Sequence, residues 1–210
     1  LELKPKLYDK IPTREIYSQV FKLLDIYQPS EAERYTLKPA LFNLGPSGHP
    51  FEEFIARLFT AMGYQTQTQQ IIPGQCVSHE VDVVVEKSGQ KFLIECKFHN
   101  RAGTKCEIKT ALYVQARFED IAQKYPGVYQ QIWLVTNTKL TTQAIRYGRC
   151  KNMGLFAWRY PENEGIEKLI DKFNLYHLLK LGYSKKWKGV SFYYGRSNEP
   201  NNSDAGSGNA

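Results

Sequence analysis

Asp82, Glu95 and Lys97 are the residue types in this chain best matched to a chemical task. Asp82 lies in His79-Glu80-Val81-Asp82-Val83-Val84-Val85, and Glu95 and Lys97 close Lys91-Phe92-Leu93-Ile94-Glu95-Cys96-Lys97. Two carboxylates offer the hard oxygen ligands that Mg2+ or Mn2+ takes, one or two at a time, with water and phosphate oxygens completing the shell. The backbone carbonyl of Cys96, beside Glu95 at the strand edge, is a further candidate metal ligand. A metal held there acidifies or positions an attacking water. Lys97 then orients that water or offsets charge developing on phosphorus. Beside two carboxylates an ammonium is favoured, so Lys97 reads as an electrostatic catalyst rather than a general base. The chemistry indicated is metal-dependent phosphodiester hydrolysis. The plainer alternative is a solvated sheet face. Against it, Asp82 interrupts an apolar run, and Glu95 and Lys97 do the same beside Phe92, Leu93, Ile94 and Phe98. A charge placed in such a strand is costly unless paired or metal-bound.

These side chains require two strands. Both segments are rich in β-formers, and residues 86–90, Glu-Lys-Ser-Gly-Gln, read as a hairpin turn. Side chains alternate along a strand, so Glu95 and Lys97 share a face with Lys91 and Leu93, while Phe92, Ile94, Cys96 and Phe98 point toward a core.

The surrounding chain supplies a scaffold. Residues 1–44 read as a helical segment, with a helix over 13–24 capped by Thr13 and a second over 30–44 whose continuity Pro39 puts in question. Gly45-Pro46-Ser47-Gly48-His49-Pro50 is the best domain boundary. Phe51, Phe54, Ile55, Leu58, Phe59 and Met62 form a helical stripe that Gly63 ends. Residues 64–72 alternate as a strand. Residues 100–106 read as a basic loop, 108–121 as a helix, 131–136 as a buried strand, 141–150 as a helix capped by Thr141, 155–158 as a short strand and 166–181 as a closing helix. From Phe51 the order is α, β, β, β, α, β, α, β, α, which implies an α/β fold with a central mixed sheet flanked by helices. Residues 45–196 form the main domain. The Asn/Ser/Gly-rich residues 197–210 are expected to be disordered.

Composition bounds the partners. The 210 residues are 42% hydrophobic and 13% aromatic, enough for a real core. A net charge of +7 points to an anionic partner, of which nucleic acid is the commonest. Arg101, Lys105, Lys109 and Arg117 follow the acidic motif and are candidates for contacts along a DNA backbone. No run of about 18 apolar residues predicts a membrane span. Four scattered cysteines without a Cys-x-x-Cys pair argue against a zinc ribbon or disulfide framework. Reduced thiols and a cytoplasmic location are the simple expectation. The N-terminus lacks an initiating Met and a signal-like apolar run, so a fragment or processed chain is expected.

Val81-Asp82, then Glu95-Cys96-Lys97, resembles the PD-(D/E)xK nuclease superfamily, and within it the restriction-endonuclease-like branch that includes Mrr. Gly48-His49-Pro50-Phe51-Glu52 and Met62-Gly63-Tyr64 match the opening helix of that branch, and the likeness covers about residues 45–160. Val81 replaces the motif proline. The resemblance implies a restriction-endonuclease-like αβββαβ core, Mg2+ or Mn2+ as cofactor, DNA as substrate and endonucleolytic cleavage in restriction, defence or DNA processing. It adds Glu52 as an acid contacting the metal or its water. Gln115 falls where relatives carry Gln-x-x-x-Tyr, although Glu119 stands at the fifth position here. Gln115 is an accessory candidate on that likeness, and His99 is another because it shares the strand face of Glu95 and Lys97, where it could contact phosphate. A homodimer is expected where both strands are cut. Thr13-Arg14-Glu15-Ile16-Tyr17 and residues 32–40 resemble the C-terminal half of an ATP-cone, without the part that would hold triphosphate, so ATP is expected only in a longer parent protein. Two rival readings stand beside the nuclease: a catalytically silent DNA-binding module of the same fold, and a regulatory or assembly protein acting through its N-terminal helices.

Overall fold

The computed structural model describes residues 3–101 and 103–180. The expected disordered tail, 197–210, and the far end of the expected closing helix lie outside the described residues.

Two helices, α1 (Thr13–Tyr27) and α2 (Pro29–Phe42), precede α3 (His49–Ala61). Three antiparallel strands follow: β1 (Gln65–Pro73), β2 (Ser78–Lys87) and β3 (Gln90–Lys97). A short β4 (Lys105–Cys106) leads into α4 (Ile108–Lys124). Then come β5 (Tyr129–Thr136), β6 (Lys139–Leu140), α5 (Thr142–Cys150), β7 (Gly154–Phe156), α6 (Ile166–Lys172) and α7 (Tyr176–Lys180). The main sheet runs β1-β2-β3-β5-β7, antiparallel across its first three strands and parallel from β3 to β7. This is the mixed sheet that the element order implies.

The sheet is buried on both faces, which is why its central strands read as near-continuous apolar runs. On one face α3 lays Phe51, Ile55, Leu58 and Phe59 against Val83, Val85, Ile94, Cys96 and Trp133. Burying each large side chain stabilises by roughly 1.5–3 kcal/mol. Leu37, Ala40 and Leu41 of α2 and Leu179 of α7 belong to the same cluster, so α2 shares this core. On the other face α4 packs Ala111, Val114 and Ile121 over Val81, Leu93, Ile132 and Leu134.

The β2–β3 hairpin turns at Ser88-Gly89, both with positive φ (53° and 75°), the pairing that two-residue hairpins of this twist require. β2 therefore runs to Lys87, further than the expected turn allowed.

Several local expectations are corrected. Thr13 is the first residue of α1, and the capping position belongs to Pro12 with no side-chain bond. α2 continues through Pro39, with buried Ala40 and Leu41 anchoring its last turn. The segment expected as a loop over 100–106 ends in β4, which pairs in parallel with β6 through Lys105↔Lys139 and Cys106↔Leu140. The closing helix is broken in two. Asn174 takes the left-handed conformation (φ 51°), and the Leu175 amide reaches back to the Ile170 carbonyl, a helix-ending arrangement. Thr141 does cap α5, its hydroxyl accepting from the Ala144 amide at 3.2 Å.

Candidate metal and phosphate site

Strand pairing builds the site. β2 and β3 pair through Val83↔Ile94, and the next residues outward are Asp82 and Glu95. Alternation puts both carboxylates on the face that α4 covers, Asp82 with Val84 and Glu95 with buried Leu93. Asp82 Oδ2 accepts from the Cys96 amide at 2.7 Å, continuing the ladder by a side chain where backbone pairing stops. In a strand the N–H and C=O of one residue point to the same edge, so the Cys96 carbonyl is also turned toward β2.

Glu95 is buried, 6% exposed. Tyr113 of α4 donates its hydroxyl to Glu95 Oε1 at 2.8 Å, and Arg117, one turn further along, forms an ion pair with Oε2. Arg117 also donates to the Glu80 carbonyl at 3.0 Å. Lys97 Nζ donates to the Tyr113 hydroxyl at 3.0 Å and lies 5.3 Å from that ring's centroid. Glu95, Lys97, Tyr113 and Arg117 are thus one hydrogen-bonded network.

The electrostatics match two acids forced together. Burial, and then the charge of Glu95, pushes the Asp82 carboxyl up to about 7, against the Cys96 amide that favours its ionised form. Burial also raises Glu95, although Arg117, Tyr113 and Lys97 pull the other way. The Tyr113 hydroxyl is raised by burial and by Glu95, and stays a protonated donor.

Glu52 stands in the first turn of α3, and its charge contributes to raising Asp82, Glu95 and buried Cys96. His49 Nδ1 meets Glu52 Oε2 at 3.1 Å and Gln69 Nε2 at 2.6 Å. Gln69 falls between the Thr68↔Val83 and Gln70↔Val81 pairs of β1–β2 and holds a positive φ of 55°, a strained conformation for a non-glycine residue.

The other candidates sit further out. Gln115 is buried, 6% exposed, but its Nε2 donates to Glu119 Oε1 at 3.0 Å and its Oε1 lacks a partner. Its partner is therefore on its own helix rather than at the acids. His99 is tied to the end of β5: its backbone exchanges bonds with the Asn137 side chain, and Nδ1 lies 2.9 Å from the Thr138 hydroxyl. Burial, and then Lys97, lowers its basicity. His79 bonds Asp120 Oδ2 at 2.7 Å, and Asp120 also accepts from the Cys76 amide at 2.8 Å, so this histidine fastens the β1–β2 connection to α4. Arg101, Lys105 and Lys109 are exposed. Arg117 is not a freely exposed cation, because it is engaged by Glu95.

Sequence reasoning missed Tyr113, His49 and Gln69. Tyr113 and Arg117 stand at i and i+4 on α4, a spacing that puts them on one face, and this was the available signal. Nothing local marks Gln69, whose place comes from strand register.

The donor chemistry fits a divalent ion. Two carboxylates, both raised by burial and Asp82 also by the charge of Glu95, gain from a dication with oxygen preference, and Mg2+ needs only one or two protein carboxylates. Among the described residues no three His, Cys, Asp or Glu side chains converge as a closed metal cage. All four cysteines are free thiols, Cys96 and Cys106 buried and Cys76 and Cys150 exposed.

A mixed sheet flanked by helices, carrying an acid, an acid and a lysine at adjacent strand ends, defines a restriction-endonuclease-like domain. The chain belongs to the Mrr catalytic-domain family, described as a restriction endonuclease, which it matches over residues 45–159. An uncharacterized protein of Archaeoglobus fulgidus is 41% identical over 132 residues, spanning 63% of this chain and 74% of the relative. The crystal structure of AF1548, a protein of unknown function, is similar at TM-score 0.57 and 39% identity, covering 61% of this chain and 67% of that one. The MspJI restriction endonuclease bound to a 27-mer oligonucleotide shows a looser likeness, at TM-score 0.39 and 10% identity over 72% of this chain and 32% of that one.

Proposed function

We propose that this protein is a metal-dependent endodeoxyribonuclease that hydrolyses DNA phosphodiester bonds in restriction, defence or DNA processing. The observation that carries the proposal is the placement of Asp82 beside Glu95 on paired strands, with Lys97 two residues on. Membership of the restriction endonuclease family supports it.

Asp82, Glu95 and the Cys96 carbonyl would hold Mg2+ or Mn2+. When bound, the ion supplies Lewis acidity and a more acidic water. Lys97 brings a positive charge to the same face, where it offsets charge developing on a phosphate. Tyr113 holds that ammonium beside Glu95. Glu52 contributes an acid from the end of α3, with His49 and Gln69 orienting it. Arg101, Lys105 and Lys109 are exposed on the segment running from β3 into α4, where they can follow a DNA backbone. A homodimer would let two such sites cut two strands. For residues 1–44 the ATP-cone likeness rests on sequence motifs, and a nucleotide role belongs to a longer parent protein. Among the described residues no helix is long and apolar enough to cross a membrane.

A second reading has one specific observation in its favour. Both oxygens of Glu95 are engaged by protein donors, which suits a fold that binds DNA without cutting it. Plasmid DNA incubated with Mg2+ or Mn2+ separates the two. Nicking or linearisation that disappears in Asp82→Asn and Lys97→Ala supports the nuclease. Cleavage surviving both substitutions would sink this site, and DNA binding with no cleavage by the unsubstituted protein would favour the silent module.

A further inference from the structure

We infer that Arg117 is an internal counter-cation of the metal site: its guanidinium competes with a divalent ion for Glu95, so that α4 sets how tightly the protein takes metal. This inference rests on the metal-dependent reading above.

The geometry singles out Arg117. It ion-pairs with Glu95 Oε2, with side chains 24% and 8% exposed respectively, so bulk water screens the pair poorly. Tyr113 already occupies Oε1, leaving no Glu95 oxygen without a protein donor. Asp82, the other acid, carries no ion pair among the described residues and accepts a bond from the Cys96 amide instead. The guanidinium is thus directed at one of the two motif acids.

Competition follows from charge. A divalent ion on Glu95 and a guanidinium on the same carboxylate place two cations within a few ångströms in a poorly solvated site, where repulsion is strong. Arginine cannot relieve this by losing its proton. It has alternatives, however. Arg117 is bonded to the Glu80 carbonyl at 3.0 Å, and its guanidinium carbon lies 5.6 Å from the Tyr113 ring centroid. Those two contacts can retain the side chain at the rim when Glu95 turns to a metal. An ordinary structural ion pair would need neither a motif acid nor a second set of partners.

The test is Mn2+ binding to the full chain without DNA, followed by electron paramagnetic resonance of the free ion. Arg117→Gln is expected to bind Mn2+ about 5–10-fold more tightly than the unsubstituted protein, a range within one tenfold step of affinity. In a Glu95→Gln background the same substitution is expected to give no gain, because the cycle isolates the pair. An unchanged or weakened affinity in Arg117→Gln, or a gain that persists without Glu95, overturns the inference. Should Arg117→Gln fail to fold, nitrogen-15 resonances of the arginine side chains in the unsubstituted protein carry the test. The Arg117 signal, assigned by its loss in Arg117→Lys, is expected to shift during an Mg2+ titration with the midpoint of binding, and a stationary signal overturns the inference. If the unsubstituted protein takes up no Mn2+, the metal reading and this inference fall together. If it does and Arg117→Gln does not tighten binding, only the inference falls.

Discussion

Tyr113 donates its hydroxyl to Glu95 Oε1 at 2.8 Å while accepting from Lys97 Nζ at 3.0 Å, so one phenol couples a motif carboxylate to the motif lysine. Strand alternation alone puts Glu95 and Lys97 on one face but leaves the long lysine side chain free to rotate. The bridge removes that freedom. Tyr113→Phe keeps the ring and its contacts with Lys97 and Arg117 and deletes only the hydroxyl. With Tyr113 partly exposed, the lost bond should cost about 1 kcal/mol of stability. Under the proposed function, kcat should fall by about tenfold with KM little changed, because the bridge orients a catalytic group rather than binding substrate. Steady-state cleavage of a labelled duplex checks the split, and an unchanged kcat would refute the role.

The pH dependence of stability should report the crowding of the two acids. Asp82 is raised from an ordinary carboxylate value to about 7 by burial and by Glu95. The unfolded chain loses this proton near pH 4, whereas the folded chain keeps it until about pH 7. Between these values the folded state binds more protons, so stability falls as pH rises through the window. Below about pH 4 both states are protonated and the penalty is absent. Asp82→Asn removes the titration. In the presence of a chelator it should raise the melting temperature at pH 8 and lose that advantage at pH 4. Calorimetry at the two pH values checks this, and a variant less stable than the parent at pH 8 would contradict it.

The site was legible in the sequence to the extent that it is strand-borne. Asp82, Glu95 and Lys97 follow from alternation and a hairpin turn, both encoded within a few residues. The α3 stripe was equally plain because Phe51, Phe54, Ile55, Leu58 and Phe59 repeat at helical spacing and all are buried. What could not be read depends on contacts between distant segments. Arg117 looks like one more cation after a basic loop until α4 docks on the β2–β3 face and brings it to Glu95. Gln69 acquires its place from β1–β2 register, and β4 and β6 are too short to carry any pattern. The break at Asn174 shows in the sequence only as a change of phase: Ile166, Leu169, Ile170 and Phe173 share one helical face, whereas Leu175 and Leu178 fall off it.

Asn137 should be a stability determinant just beyond the site. It is fully buried, and its side chain accepts from the His99 amide at 2.8 Å and donates to the His99 carbonyl at 2.9 Å. It thus satisfies both backbone groups of the residue two positions after Lys97, in the way a neighbouring strand would. Asn137→Ala leaves both groups of half-buried His99 without their partner, and each lost hydrogen bond costs roughly 0.5–1.5 kcal/mol. A loss of about 1–3 kcal/mol is expected by urea denaturation. Asn137→Asp sets a carboxylate oxygen against the His99 carbonyl at a fully buried position, and should not recover that loss at neutral pH.

Gly154 opens β7 where the strand meets β5, paired with Trp133. A β-carbon there would lie 2.2 Å from Trp133 Cδ1 and 2.3 Å from Cγ, far inside contact distance. Trp133 cannot yield easily. Its ring packs 5.2 Å from Phe59, 5.0 Å from Phe92 and 5.5 Å from Phe156, and its indole N–H is held by the Gln131 side chain at 2.5 Å. Gly154→Ala must therefore displace the indole or pull β7 from the sheet edge. Overpacking of this kind typically costs about 1–3 kcal/mol. The expected signature is a lower denaturation midpoint together with altered Trp fluorescence of the native state. The second substitution Trp133→Leu should relieve the clash, so Gly154→Ala should cost less in that background than in the parent, and an equal cost in both would show that the indole is not what excludes the side chain.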